Sequence, residues 1–379
     1  MKQRFEALDA FRGLAALSIV VCHMHFVGSL TELEFFRRSP IFVEFFFVLS
    51  GFVLTHGYGF NENLKFSVFM KARFFRLYPL HLFMFIIFIF LELGKLAAYK
   101  YGGFTFNNIP FTGVTALSEV IPNLLLIQSW LPFANYASFN SPAWSISVEF
   151  YLYVLLFLSV VTFSKFKIYI WVFIPIIAFY LLSTEFSLLT NGALKGLLCF
   201  FGGSLTYLLY KKTATFVPTR ILGSLMELAV VISTIIIVQS DCKYHLYVAT
   251  ALFCLVIFVF SFESGIVSSC LKRRPFQVAG KLSYSIYMIH FAILFCLSSA
   301  MIIFQKFIGV ELTLMFNGVR YLTSGNEIIN SFIALFVLAI VILISHFTYK
   351  YIELKWQKIG RSTSIASNEN LDIKDITKQ

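Results

Sequence analysis

Apolar runs roughly twenty residues long recur from one end of the 379-residue chain to the other. Nothing else in the sequence constrains the fold so tightly. A helix of about 20 residues, rising about 1.5 Å at each, crosses roughly 30 Å of hydrocarbon. Ten such runs are read, with approximate spans Arg12–Val27, Ile41–Gly57, Leu77–Ala97, Pro142–Phe163, Ile168–Ser183, Gly192–Tyr210, Ile221–Val238, Tyr247–Phe262, Leu282–Phe304 and Ser331–Tyr349. Only 13% of residues are charged and 59% are hydrophobic, whereas soluble domains carry about a quarter charged residues. The expected fold is therefore an all-α integral membrane protein with about ten transmembrane helices.

The net charge of +11 raises nucleic acid as a partner, but the placement of the basic residues excludes that class. They gather in alternate loops. With a cytoplasmic N-terminus, 22 Lys and Arg fall in the inner segments, seven in the outer ones, and Lys195 lies within a span. That bias is the positive-inside pattern, and it puts both termini in the cytoplasm. The opening "MKQRF" with its apolar continuation imitates a secretory signal, yet Asp9, Arg12 and two histidines do not suit an h-region, so cleavage is not expected.

Residues 1–356 read as one transmembrane domain, and the polar segment 357–379, without apolar periodicity, as a disordered cytoplasmic tail. Two long outer segments interrupt the spans, Tyr99–Ser141 and Lys306–Asn330. In the first, "TALSEVIPNLLLIQSWLP" is short and broken by Pro122, which predicts an interfacial or re-entrant piece. The six cysteines show neither close pairing nor His/Cys ligand spacing, so they read as small apolar residues and no metal site is expected.

Ionisable side chains inside the spans carry the chemical signal. An Arg at bilayer depth costs at least roughly 2.5–3.5 kcal/mol, so each asks for a partner or a task. Arg12 and His23 stand eleven positions apart, close to three helical turns, so they share a face about 16 Å apart along the axis. This predicts a guanidinium at the cytoplasmic surface below an imidazole near mid-membrane. The pair suits an elongated ligand with a phosphate at one end and a reactive group at the other. It equally suits a snorkelling Arg12 and a His23 that merely bonds a neighbouring helix. His25 points elsewhere and is read as outer packing or acceptor binding, and Asp9 as an N-cap that also holds Arg12.

Arg73 and Arg76 in "KARFFRLYP" share a helix face on the cytoplasmic side, as a two-pronged anion site or as ordinary anchors. Glu44 sits near the outer end of the second span; Ser50 and Gly51 behind it read as packing. "SPAWSISVEFY" supplies Trp144 at the outer interface, Ser147, and Glu149 in the outer half, where it could orient His23 or bind an acceptor hydroxyl. "SYSIYMIH" places Tyr284 and Tyr287 on one stripe with position 291, and His290 beside it, as interhelical glue or the wall of a wet cavity. Glu227 and Lys195 have no functional account at this level.

Taken together, "LDAFRGLAALSIVVCH", "VEFFFVLSGF", "RFFRLYP", "WSISVEFY", "SYSIYMIH" and "YKYIE" resemble, in order, the acyltransferase-3 family of bacterial integral membrane acyltransferases. The resemblance covers Leu8 to Glu353. It implies transfer of an acyl group, usually acetyl, from cytoplasmic acyl-CoA to a hydroxyl, usually of a surface polysaccharide or lipid-linked glycan, at the bacterial inner membrane. His23 would be the catalytic histidine, as general base or acyl carrier, with Glu149 beside it. Arg12, Arg73 and Arg76 would hold the coenzyme's phosphates, while Glu44, Trp144, Ser147, Tyr284, Tyr287 and His290 would line the acceptor cavity. Acyl-CoA would be a donor substrate and no cofactor would be permanently bound. Two departures stand out: Glu44 replaces a usual Asp, and Lys355 replaces a frequent Pro, which bears on how the last helix ends. Many relatives append an extracytoplasmic hydrolase-like domain where this chain has its polar tail. The alternative from another class is a proton-coupled saccharide or lipid transporter, with His23 and Glu149 as relay.

Overall fold

The computed structural model describes residues 4–360, apart from 62, 105, 107 and 185–187. The tail expected to be disordered lies outside these residues from position 361 onward. The long helices are α1 (Glu6–His23), α2 (Phe42–Tyr58), α3 (Phe66–Tyr101), α4 (Ala143–Val161), α5 (Lys167–Ser183), α6 (Asn191–Thr213), α7 (Arg220–Gln239), α8 (His245–Phe260), α9 (Arg274–Ile308) and α10 (Glu327–Thr348). Seven of the described helices are long and apolar enough to cross a membrane on composition alone, and α5 and α8 are shorter apolar helices. With α1, whose first half carries Glu6, Asp9 and Arg12, they match the ten expected spans in order. Large apolar side chains stay exposed along α5 (Phe173, Ile176, Ile177, Tyr180) and α7 (Ile221, Leu225, Ile232, Ile236). Such faces suit lipid, which asks for no polar covering. The chain is an all-α, multi-pass membrane protein.

Two helices begin well before their apolar runs. α1 starts at Glu6 with Phe5 as its N-cap, so Asp9 lies in the first turn and not at the cap. α3 starts at Phe66. The last helix also overruns. Its backbone passes through a π-turn at Tyr349–Glu353, the "YKYIE" motif, and continues helically to Gly360. A Pro at position 355 would lack the N–H such a helix needs; Lys355 supplies it.

The chain forms two compact units, Met1–Gly57 with Cys199–Ser345, and Tyr58–Leu198 with His346–Gln379. The first is held by helix crossings in which glycine lets backbones touch. A Cβ on Gly13 would lie 2.5 Å from the Ala279 backbone, and one on Gly280 would lie 2.3 Å from the Asp9 carbonyl oxygen, so α1 and α9 pack at closest approach. Residues 9, 12 and 23 of α1 meet 280, 283 and 290 of α9, so the two helices run parallel and enter the bilayer from one side. Gly51 on α2 and Gly203 on α6 do the same, each abutting a carbonyl oxygen of the other helix.

A hairpin also belongs to this unit, in the outer segment where the sequence reading had no regular structure. β1 (Thr313–Phe316) and β2 (Val319–Leu322) pair antiparallel around Asn317-Gly318, both with positive φ (48° and 79°). Asn-Gly favours that turn because both positions need left-handed backbone. Leu322 donates its N–H to the His25 carbonyl at 2.7 Å and accepts from Val27 N–H at 3.1 Å, which stitches the hairpin to the chain just after α1. Glu227 finds its account here. Its carboxylate accepts from the N–H of Gly265 and Ser268 and from the Ser268 hydroxyl, capping the short helix Ile266–Leu271.

In the second unit the described part of the outer segment makes two 3-10 turns, Gly113–Thr115 and Leu117–Glu119, and a five-residue helix, Val120–Leu124. Helix side chains strap its backbone, Tyr78 OH to Leu124 O and Tyr151 OH to Leu125 O, and its own Trp130 Nε1–H donates to the Ser147 carbonyl of α4. None of its described helices is long enough to cross a membrane. Near the start of α3, Phe75 stacks on Trp356 of the extended last helix at 5.8 Å between centroids.

Candidate active site

In the first unit, His23 is the last residue of α1, which stops short of the expected end of its span at Val27. Arg37 closes that helix end. Its Nη1–H donates to the Cys22 carbonyl at 2.8 Å and its Nη2–H to the Met24 carbonyl at 3.2 Å, so a cation sits at the negative end of the helix dipole. Arg37 Nη1 also lies 2.8 Å from His25 Nδ1. A guanidinium only donates, so His25 Nδ1 accepts, and that ring is part of the cap. The Tyr321 ring of the hairpin packs against both His25 and Arg37. No pattern in the sequence picks out Arg37; it reads there as one of the few outer basic residues.

His23 is partly exposed and its imidazole meets His290, which is wholly buried near the middle of α9. His23 Nδ1 and His290 Nε2 are 3.1 Å apart, and His290 Nδ1 is 2.7 Å from the Tyr287 carbonyl oxygen. Phe291 meets the His23 ring edge-on, and Phe46 does the same to Tyr287. Tyr287 is buried with His290 and Tyr284 is half-buried, so the stripe read from sequence is in part an interior packing surface.

Arg12 lies on the same two helices. Its Nε–H donates to Ser283 Oγ at 3.0 Å, and its Nη2–H to Asp9 Oδ1 at 3.0 Å and to the Gly280 carbonyl at 3.4 Å. Arg4 makes a second ion pair with Asp9 at 2.7 Å. Thus "LDAFRG" and "GKLSYS" lock together, and Arg12, 28% exposed, is oriented and still reachable. Glu44, in the first turn of α2, is buried.

The second unit gathers a different group. Arg73 and Arg76 lie within α3, about two turns and more from its start, and not at its mouth. Arg73 Nη2–H donates to Tyr58 OH at 3.4 Å, and its guanidinium lies over the rings of Tyr58 and Tyr153, 5.5 and 6.0 Å from their centroids. Tyr153 OH makes a short hydrogen bond to Glu149 Oε1. Glu149 acts electrostatically on Arg73, and Arg76 on Tyr153. Glu149, expected in the outer half as a partner for His23 or an acceptor, therefore joins the arginine cluster, because the early start of α3 carries Arg73 alongside α4. The buried Arg73 Nε has no hydrogen-bond partner among the described residues.

Trp144 packs on Gly192, where a Cβ would meet its ring at 3.1 Å. Ser147 departs from its expected place on a cavity wall. Fully buried, it donates to Leu126 O at 2.6 Å and accepts from Ser129 N–H at 3.2 Å, so its hydroxyl is spent on the outer strap.

A family model described as an acyltransferase domain matches residues 5–361. Acyltransferase MdmB of Streptomyces mycarofaciens is 33% identical over 159 residues, 40% of this chain and 38% of that protein. Protein 2 in picA locus of Rhizobium radiobacter is 41% identical over 104 residues, 26% of this chain and 46% of that one. The chain thus spans less than half the length of either relative. No solved structure matches. The family match runs through both units and takes in α1 with His23, α3 with its two arginines and the π-turn of the last helix; the chain belongs to this family of membrane acyltransferases.

Proposed function

We propose that the protein is an O-acyltransferase that moves an acetyl group from cytoplasmic acetyl-CoA to a hydroxyl of a surface or lipid-linked glycan at the bacterial inner membrane. The observation that carries this reading is His23: a partly exposed imidazole at a capped helix end, backed by a buried second imidazole. A neutral imidazole so placed takes the proton of an acceptor hydroxyl. The acceptor oxygen then bonds to the thioester carbonyl carbon, the carbon–sulfur bond breaks, and the coenzyme leaves as the thiol carrying that proton. Arg12, Arg73 and Arg76 are assigned to the coenzyme's phosphates by the family resemblance. The buried Nε–H of Arg73 supports its share, since an unpaired donor of this kind costs about 1–3 kcal/mol until an acceptor reaches it.

The test is transfer of radiolabel from acetyl-CoA to glycan and glycolipid fractions in membranes bearing the protein. His23→Ala abolishes transfer while the protein stays folded in the membrane. Full transfer by a well-folded His23→Ala variant overturns the assignment, and saccharide movement in sealed vesicles without acetyl-CoA would favour the transporter instead.

A further inference from the structure

The two histidines are joined in a way that fixes where each hydrogen sits. A carbonyl oxygen can only accept, so the 2.7 Å contact of His290 Nδ1 with the Tyr287 carbonyl places a hydrogen on that nitrogen. In the neutral ring, His290 Nε2 then has only its lone pair. The group 3.1 Å from it, His23 Nδ1, must therefore be the donor. The Ile19 carbonyl one turn back also bonds the His23 ring. His23 Nε2 is left with its lone pair.

We infer that His290 is a positioning residue: with the Tyr287 carbonyl behind it, it holds His23 in the Nδ1–H tautomer and presents His23 Nε2 as the nitrogen that faces the reaction. The inference deepens the proposed function and rests on it for the role of His23. The tautomer itself rests only on hydrogen-bond geometry. A general base and an acyl carrier both need this lone pair, so the arrangement serves either. The order Tyr287 carbonyl, His290, His23 does with a neutral second ring what hydrolases do with a carboxylate: it selects the tautomer and the ring orientation. A carboxylate there would add a charge in a site that excludes water. Full burial of His290 against partial exposure of His23 fits this division, one ring supporting and one reaching out. The close glycine crossing of α1 and α9 permits it, because the chain of contacts requires those backbones to approach.

The experiment uses the full chain in lipid nanodiscs, with nitrogen NMR of isotope-labelled histidine and, in parallel, acetyl-CoA turnover. In the native protein, His23 is expected to carry its hydrogen on Nδ1. In His290→Ala, His23 moves toward the Nε2–H tautomer, and kcat falls about 10- to 100-fold, as for other groups that orient a reacting histidine, with KM for acetyl-CoA unchanged. In His290→Gln, whose carboxamide oxygen accepts in place of the ring nitrogen, both are restored. A native His23 bearing its hydrogen on Nε2 overturns the inference outright, whatever the variants do. So does His290→Ala with an unmoved tautomer, which would mean that the Ile19 carbonyl suffices. Loss of activity with an unmoved tautomer, unrescued by Gln, would likewise reduce His290 to packing. If the tautomers behave as expected but the native protein moves no acetyl group, the positioning stands and the acyl-transfer reading fails.

Discussion

The histidine pair of the first unit and the arginine cluster of the second are held by opposite means. In the first, His23, His290 and the Tyr287 carbonyl form a chain with no ion pair in it, where each hydrogen bond dictates the direction of the next. In the second, Arg73 lies against Tyr58 and Tyr153, Tyr153 bonds Glu149, and the charges of Arg76 and Glu149 act on this group. A chain of neutral groups fixes a lone pair in space, which suits bond making. A cluster of cations with one counter-charge keeps net positive charge inside a low-dielectric region, which suits the capture of an anion. On the proposed function, the neutral chain would serve bond making and the charged cluster would share anion capture with Arg12, and that contrast can be attacked.

The largest expected effect is that of His23→Ala, a loss in kcat of about 100- to 10,000-fold, the range for removing a general base. Arg73→Ala should act on the other parameter. Losing a charge-assisted hydrogen bond costs about 1.5–3 kcal/mol, so KM for acetyl-CoA rises about 10- to 100-fold with kcat little changed. Arg73→Lys should recover only part of this, because the flat guanidinium lies over Tyr58 and Tyr153 and an ammonium does not. Steady-state kinetics with varied acetyl-CoA check both. If Arg73→Ala lowers kcat alone, the contrast between the histidine chain and the arginine cluster is broken.

The same comparison shows what the sequence could and could not reveal. Ten spans in order were legible because lipid reads hydropathy directly, and the three-residue spacing of Asp9 and Arg12 was legible because local geometry fixes it. The register of the functional residues was not. α1 begins at Glu6 and α3 at Phe66, several residues before their apolar runs, because tertiary partners satisfy the polar groups at those starts. Arg12 has Ser283, the Glu6 carbonyl has Gln277, and Arg73 has Tyr58. Hydropathy cannot see such partners, two of them 271 positions away. So α1 ends at His23 and not at Val27, Glu149 joins the arginine cluster, and the Ser147 hydroxyl is spent on the strap. The hairpin was within reach, since Asn317-Gly318 between two short apolar stretches is a turn signal. Arg37 was not, because only the fold brings it to the end of α1.

A smaller effect tests how far the histidine chain depends on the crossing beneath it. Gly280→Ala puts a methyl group 2.3 Å from the Asp9 carbonyl oxygen, so α1 and α9 must part. Overpacking of this kind costs about 1–3 kcal/mol. Thermal unfolding in detergent should show the loss, together with weakening of the His23–His290 hydrogen bond by NMR. Gly57→Ala is the control, since nothing lies near its Cβ direction. An equal loss in both would remove the crossing from the account.

The smallest effect is electrostatic and lies outside the helices. Arg38 pairs with Asp241 at 2.6 Å and with Glu34 at 3.0 Å. The hydrogen bond from Arg38, then its charge, hold the Asp241 carboxyl below the usual carboxylate range. A carboxyl whose folded pKa is depressed contributes stability above its unfolded value of about 3.9, and that contribution fades as the pH falls below it and through the folded pKa. The pair is open to water and screened by salt, so the change should be small and larger at low ionic strength. Thermal unfolding of the native protein and Asp241→Asn, compared between neutral and acid pH, isolates it. The difference between the two proteins should shrink on acidification, while the histidine pair, which contains no carboxylate, contributes nothing to that difference. A gap that stays constant from neutral to acid pH would show that Asp241 steadies the outer loops by shape and not by charge.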